Sequence, residues 1–184
     1  MARTRSKIQK TLHGYDPFEV VSALQKCIRR GDDYQAVYWA AELETFNPRM
    51  LWNRLRVIAS EDVGIANPLA AVVVDALENS YADALRRKNA SSRLFLVHAV
   101  LCLARSPKSR IVDDLLITVY GAVKFEDLKL KIPDYALDMH TAKGRLMGKG
   151  IEHFWEEGIK LANETGENPY KGSAAKILMK HGKP

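Results

Sequence analysis

The sequence predicts an all-α protein, with one compact multi-helix domain and a helical C-terminal extension. Apolar residues recur three and four positions apart through most of the chain, the pattern of helices that bury one face. Several helix starts are marked by a capping residue before a proline, and no alternating run is long enough for a sheet. With 184 residues, 47% hydrophobic and 27% charged, the chain has the composition of a globular domain with a core.

The apolar repeats predict about six helices between residues 16 and 124. Each repeat sets its apolar side chains along one helical face, which we expect to be buried. The clearest stripes are Tyr34, Val37, Tyr38 and Ala41; Leu51, Leu55 and Ile58; Leu69, Val72, Val73, Ala76 and Leu77; Leu94, Val97, His98, Leu101 and Cys102; and Ile111, Leu115, Val119 and Val123.

Helix boundaries are also legible. A capping side chain satisfies an orphan amide, and proline suits the first helical turn because its φ is fixed. Gly31 is expected to end the first helix, and Asp32 or Asp33 to cap the second. The cap-and-proline pairs are Asp16-Pro17, Asn47-Pro48, Asn67-Pro68 and Ser106-Pro107.

Beyond about residue 125 the period weakens, and two further helices are expected at about 134–145 and 150–164. The resulting domain prediction is a basic tail at 1–15, a single helical domain at 16–165 and a basic tail at 166–184. Cys27 and Cys102 fall on apolar faces, where free thiols are favoured over a disulfide. No apolar run approaches a membrane span and the start is not a secretory signal, so a cytoplasmic protein is expected.

Positive charge is concentrated at the two ends. Residues 1–10 and 170–184 each hold four lysines or arginines and no acid, so with +6 overall the remaining residues carry −2. Such ends can contact nucleic-acid phosphates or can simply be solvated, and solvation is the favoured interpretation. The candidates for DNA contact are Arg3, Arg5, Lys7, Lys10, Arg49 and Arg54.

Three tryptophans, Trp39, Trp52 and Trp155, are the candidates for interface contacts. Trp52 lies among arginines, and aromatic side chains between cations can stack on the bases of a single strand. Packing and subunit interfaces are the commoner use of tryptophan and are favoured here.

The patterns that carry chemistry are weak. Gly144 to Gly150 has one residue too few between its first glycine and Gly148-Lys149 for a P-loop, and Gly150 replaces the hydroxyl residue. Glu61 and Asp62 are expected on different sides of a helix, with Glu61 facing Arg54 or Arg56. The remaining candidates, for which a metal site is an alternative to a structural role, are Asp138, His140, His153 and Glu157.

Several segments, in a fixed order, resemble a known family. The strongest runs from Arg54 to Pro68 and includes Arg56, Ser60, Glu61, Asp62 and Gly64. The second is Leu103 to Ser109, with Pro107, Lys108 and Ser109, and a late basic and glycine-containing segment holds Thr141 and Gly148. With the helical pair that contains Ala23–Asp33 and Ala36–Ala41, they resemble the C-terminal region of the replication-associated recombination protein A family. These AAA+ ATPases are also called maintenance-of-genome-stability proteins.

The resemblance implies a helical domain related to the clamp-loader collar, which holds subunits together, commonly as a homotetramer. Full-length members hydrolyse ATP, act at stalled forks, and contact DNA and single-strand-binding protein. These 184 residues contain no Walker A, Walker B or arginine finger, so ATPase activity does not carry over and no cofactor is expected.

The leading hypothesis is therefore a non-catalytic oligomerisation and interaction module of DNA replication or repair, with a tetramer favoured. Its partners would be an AAA+ ATPase, single-strand-binding protein or DNA, and no membrane. The alternatives are a DNA-binding accessory protein that uses the basic tails and the Arg/Trp surface, and an enzyme built on the histidines of the second half.

Overall fold

The computed structural model describes residues 9–181, which divide into two compact units, the first ending at Asp127 and the second beginning at Leu128. Throughout these described residues the regular structure is helical and no strand occurs, which confirms the all-α prediction. The predicted single domain at residues 16–165 stays a prediction.

The described part of the first unit, residues 9–127, contains six α-helices, the number that the apolar repeats predict. A π-helical turn at Ala59–Val63 and a 3-10 turn at Gly64–Ala66 join the third helix to the fourth. The helices are α1 (Pro17–Arg30), α2 (Asp33–Phe46), α3 (Pro48–Ile58), α4 (Ala70–Arg86), α5 (Ser92–Arg105) and α6 (Ile111–Phe125).

The first three helices begin where the sequence predicts. Asp16 accepts a hydrogen bond from the Phe18 amide at 2.9 Å, and Asp32 and Asn47 cap α2 and α3 in the same way. Gly31 ends α1 with a left-handed φ of 73°, so its amide can reach back to the last carbonyls of the helix. Local capping chemistry is sufficient to set these boundaries.

Two of the predicted helix starts are wrong. Helix α4 begins at Ala70, after a turn at Pro68-Leu69, and the Asn67 side chain donates to Ser106 Oγ at 3.1 Å rather than capping a helix. Ser106 follows the end of α5, and α6 begins only at Ile111, so Pro107 lies in the connecting loop. In both cases the predicted capping residue makes a contact with a distant segment and does not cap the following helix.

The core of the first unit is formed by side chains from all of the helices α1 to α5. Its largest fully buried side chains include Leu24, Ile28, Leu43 and Leu55. Trp52 is 2% exposed and packs against Tyr81 with the ring centroids 5.4 Å apart. The expectation that Trp52 contributes to an interface is therefore wrong, because its side chain fills the core of its own chain.

Helices α2 and α5 bury different faces from those predicted. Tyr34 and Leu94, which belong to the predicted stripes, are largely exposed. Both helices are apolar over most of their circumference, so the spacing alone does not identify the inward face. The residues that enter the core are Ala36, Ala40, Leu43, Leu96, Ala99, Val100 and Leu103.

Helix α6 leaves the core. It contacts the π-helical turn and the 3-10 turn, and none of its fifteen residues, all of them described, is buried. The predicted stripe of Ile111, Leu115, Val119 and Val123 is exposed instead, between 42% and 59%. The apolar pattern predicts the helix correctly, but the expected burial of this face is wrong.

The second unit has shorter helices than predicted. A 3-10 turn at Asp134–Ala136 precedes α7 (Ala142–Leu146), and α8 (Ile151–His153) continues as a π-helical turn at Phe154–Gly158. A further helix, α9 (Lys171–His181), lies in the segment predicted to be a tail. Among the described residues, no helix is long and apolar enough to cross a membrane.

Candidate interaction site

The charged segment after α3 adopts a π-helical turn, Ala59–Val63. Such turns are rare and occur mostly as single turns that interrupt an α-helix, frequently at functional sites. Here the turn places Glu61 and Asp62 within hydrogen-bond distance of residues in α1 and of Arg110, which precedes α6.

Asp62 is a buried carboxylate held by three donors. Its side chain is 0% exposed, and Arg29 Nε donates to Oδ1 at 2.7 Å. Arg110 Nη1 reaches the same oxygen at 3.2 Å, and Gln25 Nε2 donates to Oδ2 at 2.9 Å. A buried charge is tolerated when it is paired and hydrogen-bonded in this way.

Glu61 uses the same three donors as Asp62. Its Oε1 accepts from Gln25 Nε2 at 3.0 Å, from Arg110 Nη1 at 3.1 Å and from Arg29 Nη2 at 3.3 Å. The prediction that the two carboxylates diverge is therefore wrong. They share partners because Gln25, Arg29 and Arg110 lie between them, and because each guanidinium presents several donors.

The expected partners of Glu61 have other roles. Arg54 donates to Gln25 Oε1 at 3.1 Å, so it contacts the network through an amide. Arg56 joins α3 to α4, with Nε donating to Asp75 Oδ1 at 2.8 Å and a second ion pair to Glu78. Sequence reasoning missed Gln25, Arg29 and Arg110, since only the packing of distant segments brings them to the turn.

The loop before α6 is fixed by Lys108 and Ser109. Lys108 Nζ donates to the carbonyls of Leu103 and Ala104, both at 2.9 Å, and so caps the end of α5. Burial lowers the pKa of Lys108, while the charge of Asp62 acts in the opposite direction. The Ser109 amide donates to the Asp62 carbonyl at 2.9 Å, so the loop is tied directly to the π-helical turn.

Gly64 lets α6 approach the turn closely. A Cβ at this position would lie 3.2 Å from Val112 Cγ2 and 3.3 Å from the Ser109 carbonyl oxygen, and φ is +49°. Both observations favour glycine. The motif residues thus form one junction, in which the π-helical turn, the 107–109 loop and the start of α6 are joined.

Ser60 lies beside this junction at the rim of an apolar depression of about 340 Å³. The depression runs between the end of α3 and α6, where Val57, Val112 and Leu116 form its walls. Ser60 and Arg56 both line it, so this part of the motif faces the same side as the exposed helix.

The two remaining tryptophans are half-buried. Trp39 makes edge contacts with Tyr15 and Tyr38 at centroid distances of 5.3 and 4.8 Å, and Trp155 lies in the π-helical turn of the second unit. Their proposed interface roles stay predictions.

The basic candidates are dispersed. Arg3, Arg5 and Lys7 lie outside the described residues, and Lys10 is 3.9 Å from the carboxylate of Asp16. Arg49 and Arg54, by contrast, line one open cavity on α3.

In the second unit, Thr141 and Gly144 form a tight helix start. Thr141 Oγ1 accepts from the Gly144 amide at 2.9 Å, and a Cβ on Gly144 would lie 2.0 Å from the Asp138 carbonyl oxygen. Gly148 has a φ of +74° just after α7. These positions are explained by backbone geometry.

The histidines and acids of the second unit do not form one centre. His140 pairs with Asp138 at 3.3 Å, whereas His153 lies 3.9 Å from Asp134 and Glu157 pairs with Lys160 at 2.7 Å. The His140 amide hydrogen bond lowers the pKa of Asp138, and Lys149 lowers that of Asp134. Within residues 9–181, no three histidine, cysteine or acidic side chains are placed to hold a metal ion.

The fold and this junction define an all-α domain in which the charged π-helical turn is bonded to the start of the exposed apolar helix α6. Residues 31–166 match the family model described as "MgsA AAA+ ATPase C terminal". Replication-associated recombination protein A of Bacillus subtilis is 33% identical over 141 residues, which cover 74% of this chain and 32% of that protein.

Two further relatives give similar values. The replication-associated recombination protein A of Escherichia coli K12 is 31% identical over 159 residues, covering 82% of this chain and 33% of the relative. An uncharacterized AAA domain-containing protein of Mycobacterium tuberculosis is 30% identical over 152 residues, covering 79% and 33%. The chain belongs to the MgsA AAA+ ATPase family and matches its C-terminal part, which confirms the resemblance read from the sequence. It spans about a third of the length of these relatives.

Proposed function

We propose that this chain is a non-catalytic module of DNA replication or repair that associates with copies of itself through α6. The single observation that carries the proposal is the exposure of this helix. Leu115 is 59% exposed, Ile117 60% and Tyr120 73%. Large contiguous apolar patches on a folded chain usually mark sites of interaction.

The distribution of apolar residues around α6 supports an assembly with more than one contact per chain. Val112, Leu116, Val119 and Val123 follow the spacing of a coiled-coil seam, while Ile117 and Phe125 project from other sides. Asp113, Asp114 and Lys124 interrupt the apolar surface, but apolar side chains still lie on more than one side of α6, which suits contact with more than one neighbour. This favours the tetramer expected from the sequence over a dimer with one contact.

The junction supports the same proposal because it would hold α6 in a fixed orientation. Arg110 contacts both motif carboxylates and also forms an ion pair with Asp113 in the first turn of α6. A preorganised interface helix binds with a smaller loss of conformational entropy than a mobile one. The motif would therefore act through positioning, with no part in catalysis.

The family relationship suggests the setting and the partners. Two of the relatives described above are named for replication-associated recombination, and the matched family model is that of an AAA+ ATPase. We propose that an AAA+ ATPase or single-strand-binding protein is the partner of the assembly, in the cytoplasm.

Light scattering coupled to size-exclusion chromatography tests the association. We expect the mass to rise with protein concentration toward four chains, with the loss of fluorescence-dye binding to apolar surface as α6 becomes covered. A monomer with undiminished dye binding at the highest concentration reached would contradict the proposal.

DNA binding is the second candidate function, favoured by one observation: Arg49 and Arg54 share a cavity that, within residues 9–181, no carboxylate lines. Binding through these residues and the basic ends predicts a steep dependence on salt. Fluorescence anisotropy with single-stranded and forked DNA across salt concentrations tests it, and absence of binding at low salt would reject it.

A further inference from the structure

An open cavity of about 310 Å³ is lined by α3 and by Val21 of α1. Its polar side chains are two arginines and two asparagines. Arg49, Asn53 and Arg54 lie on one side of α3, with Asn47 at its start. The walls are completed by Val21, Met50 and Val57. The volume is at the lower end of the range for small-ligand sites.

The acceptor atoms of both asparagines are already used inside the chain. Asn47 Oδ1 accepts from the Met50 amide at 3.0 Å, and Asn53 Oδ1 accepts from Arg56 Nη1 at 3.1 Å. Each side chain also carries an NH2 group with two N–H donors that a ligand can use. Both asparagines line the cavity, so each can supply an N–H donor to a ligand there.

The arginines have unbalanced charge. Among residues 9–181, neither Arg49 nor Arg54 lies within an ion-pair distance of a carboxylate, whereas Arg29, Arg56 and Arg110 are all paired. Arg54 donates to Gln25 Oε1, and the amide nitrogen of Gln25 is committed to Glu61 and Asp62. Arg54 thus keeps its full positive charge beside the cavity.

A cavity with two unpaired guanidiniums, amide donors and apolar walls selects an anion that carries many acceptors and an apolar part. Guanidinium binds phosphate oxygens in bidentate geometry, and Val21, Met50 and Val57 would accommodate a sugar or a base. We propose that this cavity binds one phosphate-bearing nucleotide unit, either within a strand or as a free nucleotide. The proposal rests on the DNA-binding candidate function and assigns Arg49 and Arg54 to one binding site. It is independent of association through α6.

The test measures binding to the full chain at low salt with three probes: a labelled oligothymidylate, thymidine monophosphate and inorganic phosphate. We expect Arg49→Gln and Arg54→Gln each to weaken nucleotide binding about tenfold, because each removes a charge-assisted contact. Each should also reduce the salt slope of oligonucleotide binding by about one unit. The Asn47 and Asn53 side-chain amides should shift in NMR spectra on ligand addition.

Arg30→Gln is the matched control. Arg30 is exposed on α1, donates to the Lys26 carbonyl at 3.1 Å and does not line the cavity, yet its removal changes net charge equally. We expect less than about a twofold change for this variant, because the loss of Arg30 lowers the positive charge of the chain as a whole without removing a contact in the cavity.

Oligonucleotide binding without mononucleotide binding would assign the site to a strand, and binding of both would include free nucleotides. Equal losses in Arg30→Gln and Arg49→Gln, or no binding of any probe, would overturn the proposal. Thermal melting of each variant separates misfolding from lost contacts. Since Arg49 and Arg54 lie outside α6, failure here leaves self-association untouched.

Discussion

Val112 occupies the space that a side chain on Gly64 would need, at the point where α6 meets the π-helical turn. A Cβ built on Gly64 would lie 3.2 Å from Val112 Cγ2, and the residue has a φ of +49° and a ψ of −132°. An L side chain is strained in this region of φ and ψ, and the close contact would also push α6 away from the junction.

Gly64→Ala should therefore destabilise the chain by about 1–3 kcal/mol. Urea unfolding measures the loss, and light scattering tests whether association weakens in parallel. Gly121→Ala is the control, since Gly121 lies within α6 and a Cβ there would have no atom of the described residues within 4 Å beyond the neighbouring backbone of its own helix. That change should be neutral or stabilising by about 0.5–1 kcal/mol. A larger loss for Gly121→Ala than for Gly64→Ala would contradict the account.

Asp62→Asn should remove the buried charge that Arg29 and Arg110 share. We expect a loss of about 2–4 kcal/mol in the free energy of unfolding, because the two guanidiniums keep Glu61 but lose their closest anion. Asp75→Asn removes an exposed partner of Arg56 and should cost less than about 1 kcal/mol. Urea denaturation of both variants provides the comparison, and equal losses would show that burial of Asp62 contributes nothing.

The ionisation of Tyr81 should limit stability in alkali. Burial first, and then Glu44, raise the pKa of Tyr81 from 10.0 to about 12. The folded state therefore holds this proton more tightly than the unfolded state, and its contribution to stability is complete below pH 10. It should be lost as the pH rises from 10 to about 12.

The measurement is urea unfolding across this pH range in the wild type and in Tyr81→Phe. Phenylalanine keeps the contact with Trp52 but has no titrating hydroxyl, so the difference between the two proteins isolates Tyr81. We expect the wild type to lose more stability than the variant between pH 10 and 12. Parallel curves would mean that the hydroxyl titrates alike in both states.

The features that follow from neighbouring residues could be predicted from the sequence. Asp16, Asp32 and Asn47 cap helices as expected because the cap and the amide that it accepts are at most three residues apart. The family resemblance was also legible, since its motifs are contiguous segments. Local chemistry therefore gives the helices of the first unit and the starts of the first three.

The features that depend on distant residues could not be predicted. Arg29 and Arg110 are separated from Asp62 by 33 and 48 positions, and no local pattern pairs them. The apolar repeat in α6 predicts a helix with a buried face but does not say whether the cover is the same chain or another molecule. For Trp52 the error is in the other direction: its arginine neighbours suggest a surface position, whereas the side chain lies in the core.

The central claim is that α6 is the surface through which copies of this chain associate. Leu115→Lys tests it most directly, with Leu85→Lys as a matched control, since these leucines are 59% and 50% exposed on helices of the same unit. Light scattering with size-exclusion chromatography should give a concentration-dependent assembly for wild type and Leu85→Lys, and a folded monomer for Leu115→Lys. An unchanged assembly in Leu115→Lys, or equal dissociation in both variants, would contradict the account.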